Sequence, residues 1–182
     1  MFDVLDLFIP GKEFWNSVRQ EFIYTKDITL HLKHSLVSLT RWEQHYKRRF
    51  LDEGPKNKAE YRYYIQCMTL NKDVDPFIYD QLQEEDYKIV NNYIQDSMTA
   101  TKLPKQNNSS GKNERLSSEL IYYYMSALNI PFDCDKWFLN NLLTLIGIAS
   151  IKNAPQDKKS KPSMKNIAAI NAARRARLNT KG

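Results

Sequence analysis

Charge and aromatic content divide this 182-residue chain at the same place, and that division sets where a core can form. From Lys152 to Gly182 nine Lys or Arg stand against one acid, Asp157, a local net of +8. Removing them from the 27 basic and 21 acidic residues of the whole leaves 18 and 20 for residues 1–151, a net of −2. Every Phe, Trp and Tyr also lies before residue 152. Packing capacity therefore belongs to 1–151, which reads as a single globular domain, and 152–182 reads as a basic hinge and arm. A basic appendage on a near-neutral body suggests docking, whereas a nucleic-acid groove would spread its charge over the domain.

The fold expected is α+β and mainly α-helical, with strands within 1–37 and helices over 40–151. Phe2, Val4, Leu5, Leu7 and Ile9 alternate imperfectly up to a Pro10-Gly11 turn signal. Glu21–Tyr24 and Ile28–Lys33, joined by Thr25-Lys26-Asp27, read as a hairpin with Ile28, Leu30 and Leu32 on its packed face. Thr40-Arg41-Trp42-Glu43 has the form of a capping box opening a helix to about Phe50, with Trp42, Tyr46 and Phe50 along one side. After Gly54-Pro55, Tyr61, Tyr64, Ile65 and Met68 share a helix face ending near Leu70. Asp75-Pro76 starts a short helix to Leu82, and Glu84-Glu85-Asp86 supplies the acidic first turn of another, buried through Val90, Tyr93 and Ile94.

Thr101–Asn113 is polar and reads as a mobile loop. Leu116, Leu120, Ile121, Tyr124 and Leu128 then mark an amphipathic helix. Asp133 is placed to cap a last helix, Cys134–Ile151, apolar on most sides and expected to be the central, most buried element. On that expectation Trp137→Ala would cost about 3–5 kcal/mol. The arm follows Ala154-Pro155, with Ser163 capping a helix through Leu178 on which Ile167, Ile170 and Ala173 form a thin apolar stripe beside Lys165, Arg174 and Arg175. Such a helix is marginal alone and gains its order from a partner.

The search for chemistry gives refusals. His31 and His34 are read as exposed strand histidines on opposite faces, unable to share a metal, and His45 as solvent-facing. Cys67 and Cys134 read as buried thiols rather than a disulfide. Asp73 with Asp75 and Asp133 with Asp135 read as helix caps. Of Tyr122-Tyr123-Tyr124 at most two point to the core. No HExxH, Walker-type loop, GxSxG or GxGxxG occurs, and only five glycines are present. No catalytic residue, cofactor or metal ligand is assigned. Met1–Pro10 lacks a basic n-region and is not read as a signal peptide, and the longest apolar run, Leu142–Ile151, is too short to span a bilayer. The arm could hold phosphates through counterion release, but it has no aromatics to stack on bases, and its alanine stripe suits helix-to-protein packing better. The partner-binding residues named on these grounds are Lys165, Ile167, Ile170, Arg174, Arg175 and Arg177.

Several blocks together carry a resemblance: Leu39-Thr40-Arg41-Trp42-Glu43, Tyr64-Ile65-Gln66-Cys67-Met68-Thr69-Leu70, Val74-Asp75-Pro76, and Tyr93-Ile94-Gln95-Asp96-Ser97-Met98-Thr99-Ala100-Thr101. Leu128-Asn129-Ile130-Pro131-Phe132, Trp137-Phe138-Leu139-Asn140 and Ala168-Ala169-Ile170-Asn171-Ala172-Ala173-Arg174-Arg175 complete the set. Over roughly residues 20–182 the chain resembles the tail assembly chaperones of bacteriophages with long non-contractile tails. The resemblance implies a non-enzymatic helper in the bacterial host cytoplasm, which binds the long helical tape-measure protein while tail-tube subunits polymerise around it. Its partners would be those two proteins, with self-association open and no membrane involved. The alternative is a structural minor tail or head-proximal virion protein; a nucleic-acid-binding accessory protein ranks lower.

Overall fold

The computed structural model describes residues 3–16, 20–52, 54, 56–101 and 116–153. The chain divides into two compact units, Met1–Ser150 and Ile151–Gly182. The architecture is α+β and mainly helical: strands β1 (Leu5–Ile9), β2 (Glu13–Asn16), β3 (Glu21–Tyr24) and β4 (Ile28–Leu32) precede helices α1 (Leu36–Tyr46), α2 (Lys58–Met68), α3 (Phe77–Asp80), α4 (Glu84–Gln95), α5 (Ser118–Ala127) and α6 (Leu139–Asn153), with a 3₁₀ turn at Phe132–Lys136 before α6. The polar segment expected as a mobile loop lies mostly outside the described residues.

The expected pairing of Glu21–Tyr24 with Ile28–Lys33 does not form. Instead β4 pairs antiparallel with β1, Leu5 opposite Leu32 and Ile9 opposite Ile28, while β3 pairs with β2, Glu13 opposite Tyr24. Both ladders keep one register, so they are two stretches of a single ribbon. Thr25-Lys26-Asp27 is an interruption in that ribbon rather than a turn. Pro10 has no N–H to give to a ladder, and side chains take over the bonding. The Asp27 carboxylate accepts from Gly11 N at 2.7 Å, and Thr25 Oγ1 accepts from Lys12 N at 2.9 Å. Gly11 is required there, because a Cβ would stand 2.3 Å from the Thr25 carbonyl oxygen. The Gln81 side-chain amide donates to Thr25 Oγ1 at 2.9 Å and ties the interruption to the end of α3.

In the inner ladder Leu7, Ile9, Leu30 and Leu32 are buried, whereas Asp6, Phe8 and His31 face outward, the alternation of a sheet with one face wet. The end of α2 returns alongside β4: Lys33 N donates to the Met68 carbonyl at 2.9 Å and Leu70 N to that of His31 at 2.8 Å.

α1 starts earlier than its sequence suggests. Ser35 caps it with Ser38 as reciprocal partner, and Thr40, instead of capping, sits inside the helix with its hydroxyl donating to the Leu36 carbonyl. Glu43, the other half of the expected box, is buried and accepts from Phe50 N at 2.9 Å and Ser118 N at 2.8 Å. It fastens the loop after α1 and the start of α5 to one helix. Lys47 in left-handed conformation ends α1, so Phe50 reaches Trp42 (ring centroids 5.0 Å) from beyond the helix. α2 follows the reading closely, opened by an Asn57–Glu60 box and buried through Tyr64, Ile65, Cys67 and Met68. α4 has its acidic first turn, Glu84, Glu85 and Asp86, with Val90 and Tyr93 buried.

The last helix is the main correction. Cys134–Ile151 is not continuous: Trp137 is extended between the 3₁₀ turn and α6, and Asp133 does not cap α6. The break turns Phe138 inward against His34 and Tyr93, with ring centroids 5.5 and 5.2 Å away. Phe138 is 1% exposed and Trp137 46%. α6 is not the most buried element either, since only Leu139, Leu142 and Ile146 are covered; α1, with Leu36, Leu39 and Trp42 wholly buried, occupies the centre. The expectation for Trp137 therefore transfers to its neighbour. Phe138→Ala should cost about 3–5 kcal/mol and Trp137→Ala under about 1 kcal/mol in urea unfolding; the reverse order would refute this placement.

Candidate interaction surfaces

His34 is not an exposed strand histidine. It lies between β4 and α1, is 1% exposed, and gathers five segments. Its Nδ1 stands 2.6 Å from the Tyr64 hydroxyl on α2, and its backbone N–H donates to the Tyr93 hydroxyl on α4 at 3.2 Å. Tyr93 in turn donates to the Asp3 carbonyl at 2.8 Å, and the His34 carbonyl accepts from Leu139 N at 2.8 Å at the start of α6. Burial lowers the imidazole pKa from 6.5 to about 4 and pushes the Tyr64 and Tyr93 hydroxyls up, Tyr93 to about 12. A neutral imidazole bonded to one protonated phenol, with a second phenol on its backbone N–H, is a structural knot.

The other polar groups are also structural. His31 faces outward and pairs with Asp6 across the strands at 2.6 Å, so the two histidines remain apart as expected. His45 is exposed, stacked on Tyr63 at 4.2 Å. Asp75 accepts from Phe77 N just before α3, where the N-cap position itself falls on Pro76, Asp73 adopts a left-handed conformation and Asp133 pairs with Lys136 at 3.8 Å. Tyr123 is exposed, while Tyr122 and Tyr124 pack against the core. Among the described residues no group of three or more His, Cys, Asp or Glu is placed to hold a metal ion. An open groove of about 470 Å³ runs between α1 and α2, lined by Arg41, Gln44, His45, Tyr63, Gln66 and Cys67. Both cysteines are free and buried, and burial pushes the Cys67 thiol up to about 11. That thiol stays protonated at neutral pH and is a poor nucleophile.

Among the described residues, apolar side chains are left exposed in two places that continue core-forming elements. One is the end of α6: Leu139, Leu142 and Ile146 are buried and Leu143 and Leu145 pack against the core, whereas Ile148 is half-buried and Ile151 is 44% exposed. The other is the outer ribbon, where Trp15 and Phe22 touch edge to face at 4.9 Å and, with Phe14 and Tyr24, are exposed. Sequence reasoning missed the ribbon because an aromatic-rich strand reads the same whether its face is covered or bare. The arm residues Lys165, Ile167, Ile170, Arg174, Arg175 and Arg177 lie outside the described residues. No helix among those described is long and apolar enough to cross a membrane.

The buried imidazole makes stability depend on pH in a stated direction. Below pH 6.5 the unfolded chain takes up a proton that folded His34 refuses, so folding stability falls as pH drops from 6.5 to about 4, by about 3 kcal/mol in all. The carboxylates of Asp3, Glu84 and Glu119, held below their ordinary values by Lys33, Lys58 and the α5 N-terminus respectively, add to this loss only as pH falls through their ordinary values of 4.5 for the glutamates and 3.8 for Asp3. Urea unfolding at several pH values, with NMR titration of the His34 ring, checks this. A His34 ring titrating near 6.5 in the folded protein would contradict it.

No protein-family model, curated protein or solved structure matches the chain.

Proposed function

We propose that this chain is a non-enzymatic binding protein of bacteriophage tail assembly, holding the long helical tape-measure protein in the host cytoplasm while tail-tube subunits polymerise. The observation that supports binding is α6. Beyond the residues that pack against the core, α6 presents Ile148, half-buried, and Ile151, 44% exposed, three positions apart at its end. Amphipathic helices dock through anchors spaced three, four and seven residues apart. In sequence, α6 ends with Lys152 in its last turn and is followed by eight further basic residues. The choice of client rests on the resemblance of the sequence blocks, which cover α1, α2, α4 and the start of α6.

The test is recovery of partners by the tagged full chain from phage-producing cells after nuclease treatment, beside full chains carrying Ile151→Asp or Arg174→Glu with Arg175→Glu. Recovery of a very long helical phage protein is expected, reduced roughly tenfold by Ile151→Asp, the effect of losing one partly exposed isoleucine from a contact. Recovery of tube or other virion proteins alone would replace this reading with the structural one. Loss of all partners on nuclease treatment would replace it with nucleic-acid binding.

A further inference from the structure

The β-ribbon outruns the body it belongs to. Alternation turns Leu7 and Ile9 toward the core with Leu30 and Ile28 opposite them. Counted on through the unbroken register, the same alternation turns Glu13 and Trp15 to that side, with Tyr24 and Phe22 opposite. The face that is core in the inner ladder is thus aromatic in the outer one, and nothing among the described residues covers it: Trp15 is 56%, Phe22 55% and Tyr24 72% exposed. The outer stretch is also two-stranded with both edges open. An isolated pair of strands is marginal in water and is completed by further strands or a packed face.

We propose that a second copy of this chain covers this face, the two ribbons meeting about a two-fold axis through Trp15, Phe22 and Tyr24. Two observations favour a second copy over a foreign partner. In sequence, residues 10–27 include three basic residues (Lys12, Arg19, Lys26) and three acidic ones (Glu13, Glu21, Asp27). The segment's net charge is zero, so it carries no excess charge that would oppose a second copy of itself or select an acidic or basic stranger. The area also fits. At the stated exposures three aromatic rings leave on the order of 400 Å² uncovered per copy. A symmetric pair hides about twice that from the rings alone, and strand backbone and flanking residues bring it to the lower range of specific interfaces, about 1,200 Å² in total. That is the size of a weak, concentration-dependent dimer whose contacts are repeated on both sides of the axis. The ribbon surface is separate from α6, so this pairing does not depend on the client proposed above.

Sedimentation equilibrium of the full chain, from micromolar to near-millimolar concentration, tests the pairing. The native chain should pass from monomer to dimer. Trp15→Lys and Phe22→Lys, each made separately, should weaken the dimer at least tenfold while leaving the far-ultraviolet circular dichroism and the unfolding midpoint unchanged. Trp137→Lys, at an exposed tryptophan away from the ribbon, should leave it intact. A spin label at Lys26→Cys, with both native cysteines buried, should report a dipolar coupling between copies. A chain that stays monomeric throughout, a dimer that survives both ribbon substitutions, or ribbon substitutions that abolish capture of a foreign protein by a monomeric chain would each overturn the proposal.

Discussion

The folded body hangs on one buried imidazole. His34 occupies the junction where the ribbon hands over to the helices, and its ring and backbone contact α2, α4 and the start of α6, with the N-terminal segment joined through Tyr93. Each partner is itself satisfied, so a cluster of buried polar groups that would be costly if half-made becomes a device that admits one arrangement of the surrounding elements. The rings follow the same logic. Phe138 and Tyr64 stand edge-on to His34, and Phe50 stacks on Tyr64 at 3.9 Å. Glu43 does for α1 and α5 what His34 does for the rest, binding two backbone N–H groups from segments 68 residues apart in sequence, at Phe50 and Ser118.

These two knots take up polar residues that would otherwise be candidates for chemistry. A histidine deprived of its proton-accepting range, tyrosines pushed away from ionisation and a thiol held protonated are groups used for geometry. The surfaces proposed to bind are apolar, on the outer ribbon and at the end of α6. Both are continuations of core-forming elements past the point where the body ends. A face that packs at one end of an element and is bare at the other can bind a partner without forfeiting its own stability, because the packed end anchors it.

Much of the helical layout was legible. The i, i+3, i+4 pattern of Tyr61, Tyr64, Ile65 and Met68 marks α2, and acids before Val90 and Tyr93 mark α4, because these signals are contained within a turn or two of chain. The errors arose where the deciding partner is remote. Thr40 and Glu43 have the right spacing for a cap, yet Glu43 is claimed by amides at Phe50 and Ser118, and Ser35 caps instead. His34 follows a strand and reads as exposed, yet hydroxyls 30 and 59 residues away make a buried site for it. Trp137 and Phe138 are adjacent and equally apolar, and the extended backbone between the 3₁₀ turn and α6 decided which entered the core. Of the surfaces, the arm was legible as a charge boundary; the ribbon face was not, because exposure is a property of what fails to arrive.

By itself the sequence determined the division of charge at residue 152, the confinement of aromatics to 1–151, the class of fold and the buried faces of α2 and α4. These are properties of composition and short-range periodicity. Tertiary structure alone decided that β4 would pair with β1 rather than β3, that His34 would be buried, that the last helix would break at Trp137 and that Trp15, Phe22 and Tyr24 would be left bare. Each of those outcomes is a competition between contacts widely separated in sequence. Spacing within one element can say which side chains share a face, but only the arrival of another element settles whether that face is covered.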